Sequence, residues 1–275
     1  MKTLSIITIN KNNAAGLEKT IQSVVCQTSA DFEYIIIDGA STDESVEIIK
    51  KHAEKIDYWI SEPDTGVYNA MNKGIRQAQG NYCLFLNSGD WLISPETLDN
   101  VFEEISGNPA DIFYSDMLKP INSITFFPKN LTINDLVRRS ISHQNSFIKR
   151  SLFFEHGFYN ENLRIASDWE FFLNELYTYK SIFCKLETNI AVYNTGGISS
   201  QNPTLRRSEN EIVLRNVFHD FAELVIEYKK FRKSIYYNII KEHADTKLLS
   251  YLLKVYRKLF KITRKIFPND KKSMA

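Results

Sequence analysis

Four polar clusters in the first 90 residues each stand directly after an apolar run: Asn12 after Leu4–Ile9, Asp38 after Phe32–Ile37, Asp64 after Tyr58–Ile60 and Asp90 after Tyr82–Leu86. Their residue types set the chemistry open to them. In Asp38-Gly39-Ala40-Ser41-Thr42-Asp43 a carboxylate can accept an N–H from the edge of a base, although Asp-Gly is equally a common turn pair. The stretch Glu62-Pro63-Asp64-Thr65-Gly66-Val67-Tyr68-Asn69-Ala70-Met71-Asn72-Lys73-Gly74 joins a Pro/Gly loop to a helix start, with Lys73 beyond the first turn. A helix N-terminus with a nearby lysine suits a diphosphate; the same pattern also describes an ordinary helix with a solvated lysine. In Asn87-Ser88-Gly89-Asp90 the Asp90 carboxylate, backed by a polar oxygen three residues earlier, either holds Mg²⁺ or Mn²⁺ or marks a β-turn. Such hard ions take few protein oxygens and draw the rest from phosphates. Asp168, in Ser167-Asp168-Trp169-Glu170, is a general base if it faces a cleft, and Ser167 or Asp168 is a helix cap if it does not. His143-Gln144-Asn145 offers a phosphate or acceptor contact or a structural histidine, and Gly196-Gly197-Ile198-Ser199-Ser200 a loop closing on ligand or a linker.

Positioning these groups requires a particular frame. Leu17, Ile21, Val24 and Val25 recur at helical spacing, and Ser41 with Glu44 reads as a capping box opening a helix with Val46, Ile48 and Ile49. Ala70, Met71, Ile75 and Ala78 form another helical face, which Gly80 ends. Strands of nearly unbroken apolar residues alternating with helices predict an α/β fold, a mostly parallel sheet covered on both faces. Ligands of such sheets bind beyond the carboxyl ends of the strands, where the four polar clusters fall. Further on, Ile112–Tyr114 and Ser123–Phe127 read as strands and Leu131–Arg139 as a helix, and from Leu205 the pattern is helical.

The composition is that of a globular chain: 275 residues, 43% hydrophobic and 24% charged, which excludes disordered and collagen-like classes. Three scattered cysteines form neither a disulfide framework nor a zinc site and suit a reducing, cytoplasmic compartment. The opening segment reads as a strand, not a signal peptide, and no apolar run is long enough to span a bilayer. The formal charge of +1 hides an asymmetry. Residues 1–228 carry 20 Lys+Arg against 30 Asp+Glu, a net −10, whereas residues 229–275 carry 14 against 3, a net +11.

In this order the motifs resemble the inverting family-2 glycosyltransferases of the GT-A fold, over roughly residues 3–200. The resemblance implies a Rossmann-like catalytic domain over 1–203, with a nucleotide-sugar half (1–110) and an acceptor half (111–203), followed by a helical, basic extension over 204–275. It implies a nucleotide-sugar donor, a UDP-sugar foremost, bound through Asn12, Asp38, Asp64, Lys73, Asn87 and Ser88. Asp90 would bind Mg²⁺ or Mn²⁺, and Asp168 would deprotonate the acceptor hydroxyl, with His143, Trp169 and Glu170 near acceptor or phosphate. Two positions depart from the family pattern: Asn87 replaces the first carboxylate of the metal motif, and Lys11 stands where an aromatic residue is common. The Asn-Ser-Gly-Asp variant resembles a subgroup that builds bacterial surface-polysaccharide repeat units. The alternatives are a non-catalytic relative acting in membrane assembly and a sugar nucleotidyltransferase. The latter would want a Gly-rich basic phosphate loop near the N-terminus, where 10–16 holds a single Gly and a single Lys.

Residues 247–267 read as an amphipathic helix with Leu, Tyr, Phe and Ile on one stripe and Lys and Arg on the other. It either docks on the catalytic body or lies in the plane of an anionic membrane, next to a saccharide or polyprenyl-linked acceptor. No nucleic-acid recognition motif accompanies the basic residues. A homo-oligomer is left open.

Overall fold

The computed structural model describes residues 2–120, 123–194 and 202–232. The first half alternates strand and helix: β1 (Leu4–Asn10), α1 (Ala14–Val25), β2 (Phe32–Asp38), α2 (Ser45–Lys51), β3 (Tyr58–Ser61), α3 (Val67–Gln77) and β4 (Tyr82–Phe85). The second half is mixed: β5 (Trp91–Leu92), α4 (Thr97–Ile105), β6 (Ile112–Tyr114), β7 (Met117–Lys119), β8 (Ser123–Thr125), α5 (Ile133–Arg138), β9 (Ser146–Lys149), α6 (Ser151–Glu155), α7 (Ser167–Asn174), β10 (Phe183–Lys185) and β11 (Ala191–Val192). Among the described residues two helices follow, α8 (Pro203–Phe218) and α9 (Ala222–Arg232).

Among the described residues the main sheet has seven strands in the order β10-β6-β9-β4-β1-β2-β3, and only β9 runs antiparallel to its neighbours. Every residue of β1 is buried, because helices cover both faces. The pleat sorts its side chains by a period of two. Leu4 and Ile6 join Leu17, Ile21 and Val24 of α1 in one core, while Ile7 and Ile37 face Gly74 of α3. The parallel register pairs Asn10 with Asp38 and Asp38 with Ser61, so the polar ends of three strands form one edge. A smaller sheet, β5-β11-β7-β8, brings the residues after β11 back to that edge.

The expected mostly parallel sheet is therefore present, with local differences. Ser41 and Glu44 do not form a capping box: α2 starts at Ser45, and its Glu44 cap makes no side-chain bond. The Ser41 hydroxyl instead donates to Asp38 Oδ1 (2.6 Å) and accepts the Asn12 N–H (2.8 Å), since a buried carboxylate competes better for it than a solvated helix end. A capping box does occur in α5, between Thr132 and Asp135. Neither Ser167 nor Asp168 is the cap of α7; Ala166 holds that place, and the Ser167 hydroxyl accepts the Asn160 N–H.

The chain divides into compact units at 222/223, beyond the expected boundary at 203/204. The reason is that α8 buries Glu209, Val213, Leu214, Val217 and Phe218. In the second unit, Arg232 donates to the Tyr228 hydroxyl (3.0 Å). The Gly196–Ser200 loop and the 247–267 helix lie outside the described residues. No described helix is long and apolar enough to cross a membrane.

Candidate active site

A cleft of about 560 Å³ opens at the carboxyl edge of β1, β3 and β4, lined by Asn13, Asp64, Tyr68, Asn87, Ser88, Asp90, His143 and Asp168, among others. Asp168, at the start of α7, is held from three directions. Its Oδ1 accepts the Tyr68 hydroxyl (3.0 Å) and the Trp169 N–H (2.9 Å), and its Oδ2 lies 2.8 Å from His143 Nδ1. The far imidazole nitrogen, Nε2, is 3.1 Å from the Asn87 amide nitrogen. An amide donor at Nε2 leaves the ring proton on Nδ1, pointing at Asp168. Asn87, His143 and Asp168 thus form one chain of hydrogen bonds linking the β4 loop to α7. Burial, and then the Asp168 charge, hold the Tyr68 phenol well above its ordinary pKa, so it remains a donor.

Asp90 also lines the cleft and is only 3% exposed. Its oxygens accept the Asn194 N–H (2.8 Å) and the Gln144 amide (3.0 Å). Burial nonetheless pushes its pKa up to about 6 against those two bonds. Gly89 beside it has φ +102°, a conformation that favours glycine, and a Cβ there would meet the Asn194 amide at 2.7 Å. The side-chain carbonyl oxygen of Asn87 is buried with no partner. A destabilised carboxylate and an orphaned hard oxygen on one loop fit a divalent cation that takes its remaining ligands from a diphosphate. No group of three or more His, Cys, Asp or Glu residues suited to a metal occurs among the described residues.

The nucleotide-side residues are placed unequally. Asp64 lines the cleft and rests on Gly39, whose missing side chain gives it room: a Cβ would come within 2.4 Å of Asp64 Oδ2. Asp38 lies beneath the lining, fully buried. Its carboxylate accepts Asn10, the Ser41 hydroxyl, the Ser41 N–H and the Ser61 hydroxyl at 2.6–2.9 Å. Burial alone would raise its pKa, but these donors outweigh burial and lower it. Asn12 is outside the lining, in left-handed conformation (φ 51°), its side chain accepting the Thr42 N–H (2.8 Å). Its neighbour Asn13 is the one in the cleft, donating to the Ser88 carbonyl (3.0 Å).

Lys73 does not line the cleft. Its ammonium pairs with Glu62 (2.7 Å) and donates to the Pro63 carbonyl (2.9 Å), bracing the loop that carries Asp64. Trp169 and Glu170 are likewise outside the lining and buried. The Trp169 indole donates to the Leu136 carbonyl, and Glu170 accepts the amides of Asn160 and Asn216. Of the three residues expected near acceptor or phosphate, only His143 reaches the cleft, and there it contacts Asp168. Asn13, Tyr68, Gln144 and Asn194 are cleft-lining positions that sequence reasoning left unassigned. Tyr68 and Gln144 sit inside motifs already singled out, and Asn13 carries the signal of a helix cap. Asn194, 104 positions from Asp90, carries none.

Comparison with known proteins bears on the family and the fold. The Glycosyl transferase family 2 model matches residues 5–172. A PGL/p-HBAD biosynthesis glycosyltransferase of Mycobacterium bovis is 33% identical over 201 residues, covering 71% of this chain and 78% of that protein. A cholesterol galactosyltransferase of Borreliella burgdorferi is 25% identical over 273 residues, covering 86% and 74%. Among solved structures, S. aureus TarS 1-349 in complex with UDP-GlcNAc superposes with a TM-score of 0.65 at 20% identity, over 79% of this chain and 65% of that one. The mannosyltransferase PcManGT from Pyrobaculum calidifontis, in complex with GDP-Man and Mn²⁺, gives 0.63 at 14% identity, over 94% and 80%. With a GT-A sheet, a matching family model and relatives at this identity, the chain belongs to glycosyl transferase family 2.

Proposed function

We propose that this glycosyltransferase moves a sugar, with inversion, from a nucleotide-sugar donor to a hydroxyl of a saccharide or lipid-linked acceptor in bacterial surface-polysaccharide assembly. The observation that carries the reading is Asp168, oriented by Tyr68, His143 and a backbone N–H toward a cleft that also holds Asp64 and Asp90. Asp168 accepts the proton of the acceptor hydroxyl, and the oxygen forms a bond to the anomeric carbon as the bond to the diphosphate oxygen breaks. One displacement inverts the configuration, and no enzyme nucleophile is needed. The nucleoside diphosphate leaves with the bonding pair. The imidazole of His143 keeps Asp168 in register and is itself held by Asn87, so base and donor loop share one geometry.

Asp90 and the side-chain carbonyl oxygen of Asn87 are the groups that would hold Mg²⁺ or Mn²⁺, which supplies charge neutralisation to the leaving diphosphate. A Mn²⁺ complex of a GT-A neighbour supports that choice. Bound UDP-GlcNAc and GDP-Man in other neighbours support a nucleotide-sugar donor, and a relative named for cholesterol supports an acceptor carrying lipid. Asp38 is proposed to shape the base pocket from beneath through Asn10 and Ser41. A screen of UDP-, GDP- and dTDP-sugars with Mn²⁺ or Mg²⁺, read by nucleotide release, tests the reading. Release is expected with one nucleotide class, and absence of binding and turnover with all of them rejects it.

The basic 247–267 segment is proposed to bring the enzyme to an anionic cytoplasmic membrane surface bearing its acceptor. The full chain is expected to float with anionic liposomes and a chain ending at 245 to remain behind; equal flotation of the two refutes it.

A further inference from the structure

We infer that Arg164 is the cation that receives the donor diphosphate, and that Glu209 of α8 is the positioning residue that holds Arg164 in place. This rests on the glycosyltransferase reading and names the anion subsite of the same cleft. The charges around the cleft pose the problem. Among the described residues three carboxylates line it, Asp64, Asp90 and Asp168, against the cations Lys11 and Arg164. A nucleoside diphosphate adds further negative charge to a partly dehydrated space, which needs a cation close to the phosphates.

Lys73, the lysine that the motif suggests, is taken up by Glu62 and Pro63. Lys11 lies by Asp64: its stem passes over Gly39, with Cδ 3.4 Å from where a Gly39 Cβ would stand. Arg164 is four residues before Asp168 and lines the same cleft. Its guanidinium has no hydrogen-bond or ion-pair partner among the described residues. A planar fork of N–H donors is suited to gripping phosphate oxygens in pairs.

The segment bearing Arg164 is fixed from both sides. At its start, the Asn72 amide donates to the Tyr159 carbonyl (2.9 Å) and to Glu161 (2.8 Å), and accepts the Tyr159 N–H (3.1 Å). At its end, Glu209 reaches in from α8 and takes the N–H groups of Arg164 (2.8 Å) and Ile165 (2.9 Å), one on each oxygen. Glu209 is only 4% exposed. A carboxylate is buried there at a desolvation cost that those two N–H groups offset, and the result is an arginine whose backbone cannot drift. Segments held this way present a side chain with little ordering cost on binding.

The test titrates the full-length protein with UDP and uridine, and with GDP and guanosine, by calorimetry. Arg164→Ala is expected to weaken the diphosphate that binds by roughly ten- to a hundredfold while leaving its nucleoside unchanged. Arg164→Lys should recover part of that loss. Glu209→Gln, which touches no ligand, should weaken the diphosphate about three- to tenfold with the nucleoside unmoved; circular dichroism checks that every variant folds. Wild-type diphosphate affinity in Arg164→Ala, even with impaired turnover, would put the guanidinium on the acceptor and overturn the inference. So would a greater loss in Lys73→Ala than in Arg164→Ala. Failure of the wild-type protein to bind either diphosphate removes the functional reading itself.

Discussion

Replacing Asp168 by Asn lowers turnover by about 10²–10⁴-fold and leaves nucleotide affinity unchanged. The substitution isolates the proton acceptor because the hydrogen-bond chain around it can readjust. The Asn oxygen can take the His143 Nδ1–H as the carboxylate does, and its amide then faces the Tyr68 hydroxyl, which turns to accept it. His143 and Asn87 keep their arrangement, so the Asn87 oxygen proposed to hold the cation is undisturbed. The variant gives up the bond from the Trp169 N–H and is expected to fold with a stability within about 2 kcal/mol of the wild type. Steady-state nucleotide release at saturating donor measures the first quantity and calorimetry the second. Turnover within about tenfold of wild type places the base elsewhere.

The frame around this site was legible in the sequence for a physical reason. Strands buried on both faces carry apolar residues without alternation, and β1, β2 and β4 nearly do, with Ser5, Thr8 and Glu33 the interior exceptions, so their ends and the polar residues beyond them could be read directly. What failed was local competition. Ser41 has the spacing of a cap, but Asp38 is buried and needs its hydroxyl more than the helix end does. Lys73 has the type for a phosphate contact, but Glu62, close in sequence, takes it first. The contacts that only the fold creates were not legible at all. Asn194 reaches Asp90 across 104 positions, and Glu209 reaches Arg164 across 45. In a helix reading Glu209-Asn210-Glu211, nothing distinguishes the buried glutamate from its neighbour two positions on.

Asp90→Asn is expected to move activity and stability in opposite directions. In the folded chain burial raises the Asp90 pKa from 3.8 to about 6, so the native state binds the proton more readily than the unfolded chain does. An acid raised in this way opposes folding once ionised. Its penalty grows as pH rises from about 4 to about 6 and is then constant. At neutral pH it is on the order of 3 kcal/mol, since each pH unit between the folded and unfolded values is worth about 1.4 kcal/mol. Asn carries no charge to bury, so without divalent cation the variant should be more stable than wild type at pH 7 and should lack the slope between pH 4 and 6. Urea unfolding at several pH values measures both. The same substitution removes the only carboxylate of the Asn87-Ser88-Gly89-Asp90 loop, so turnover should fall by about 10²–10³-fold. Stabilisation of the nucleotide-bound protein by Mn²⁺ should disappear with it. A destabilised variant at pH 7, or one that keeps its turnover, would mean that the buried charge of Asp90 is not held in reserve for a cation. The cost of keeping an anion dehydrated at this edge of the sheet makes sense only if a substrate-borne cation or its equivalent offsets it during the reaction, and the paired measurements ask for both halves of that exchange.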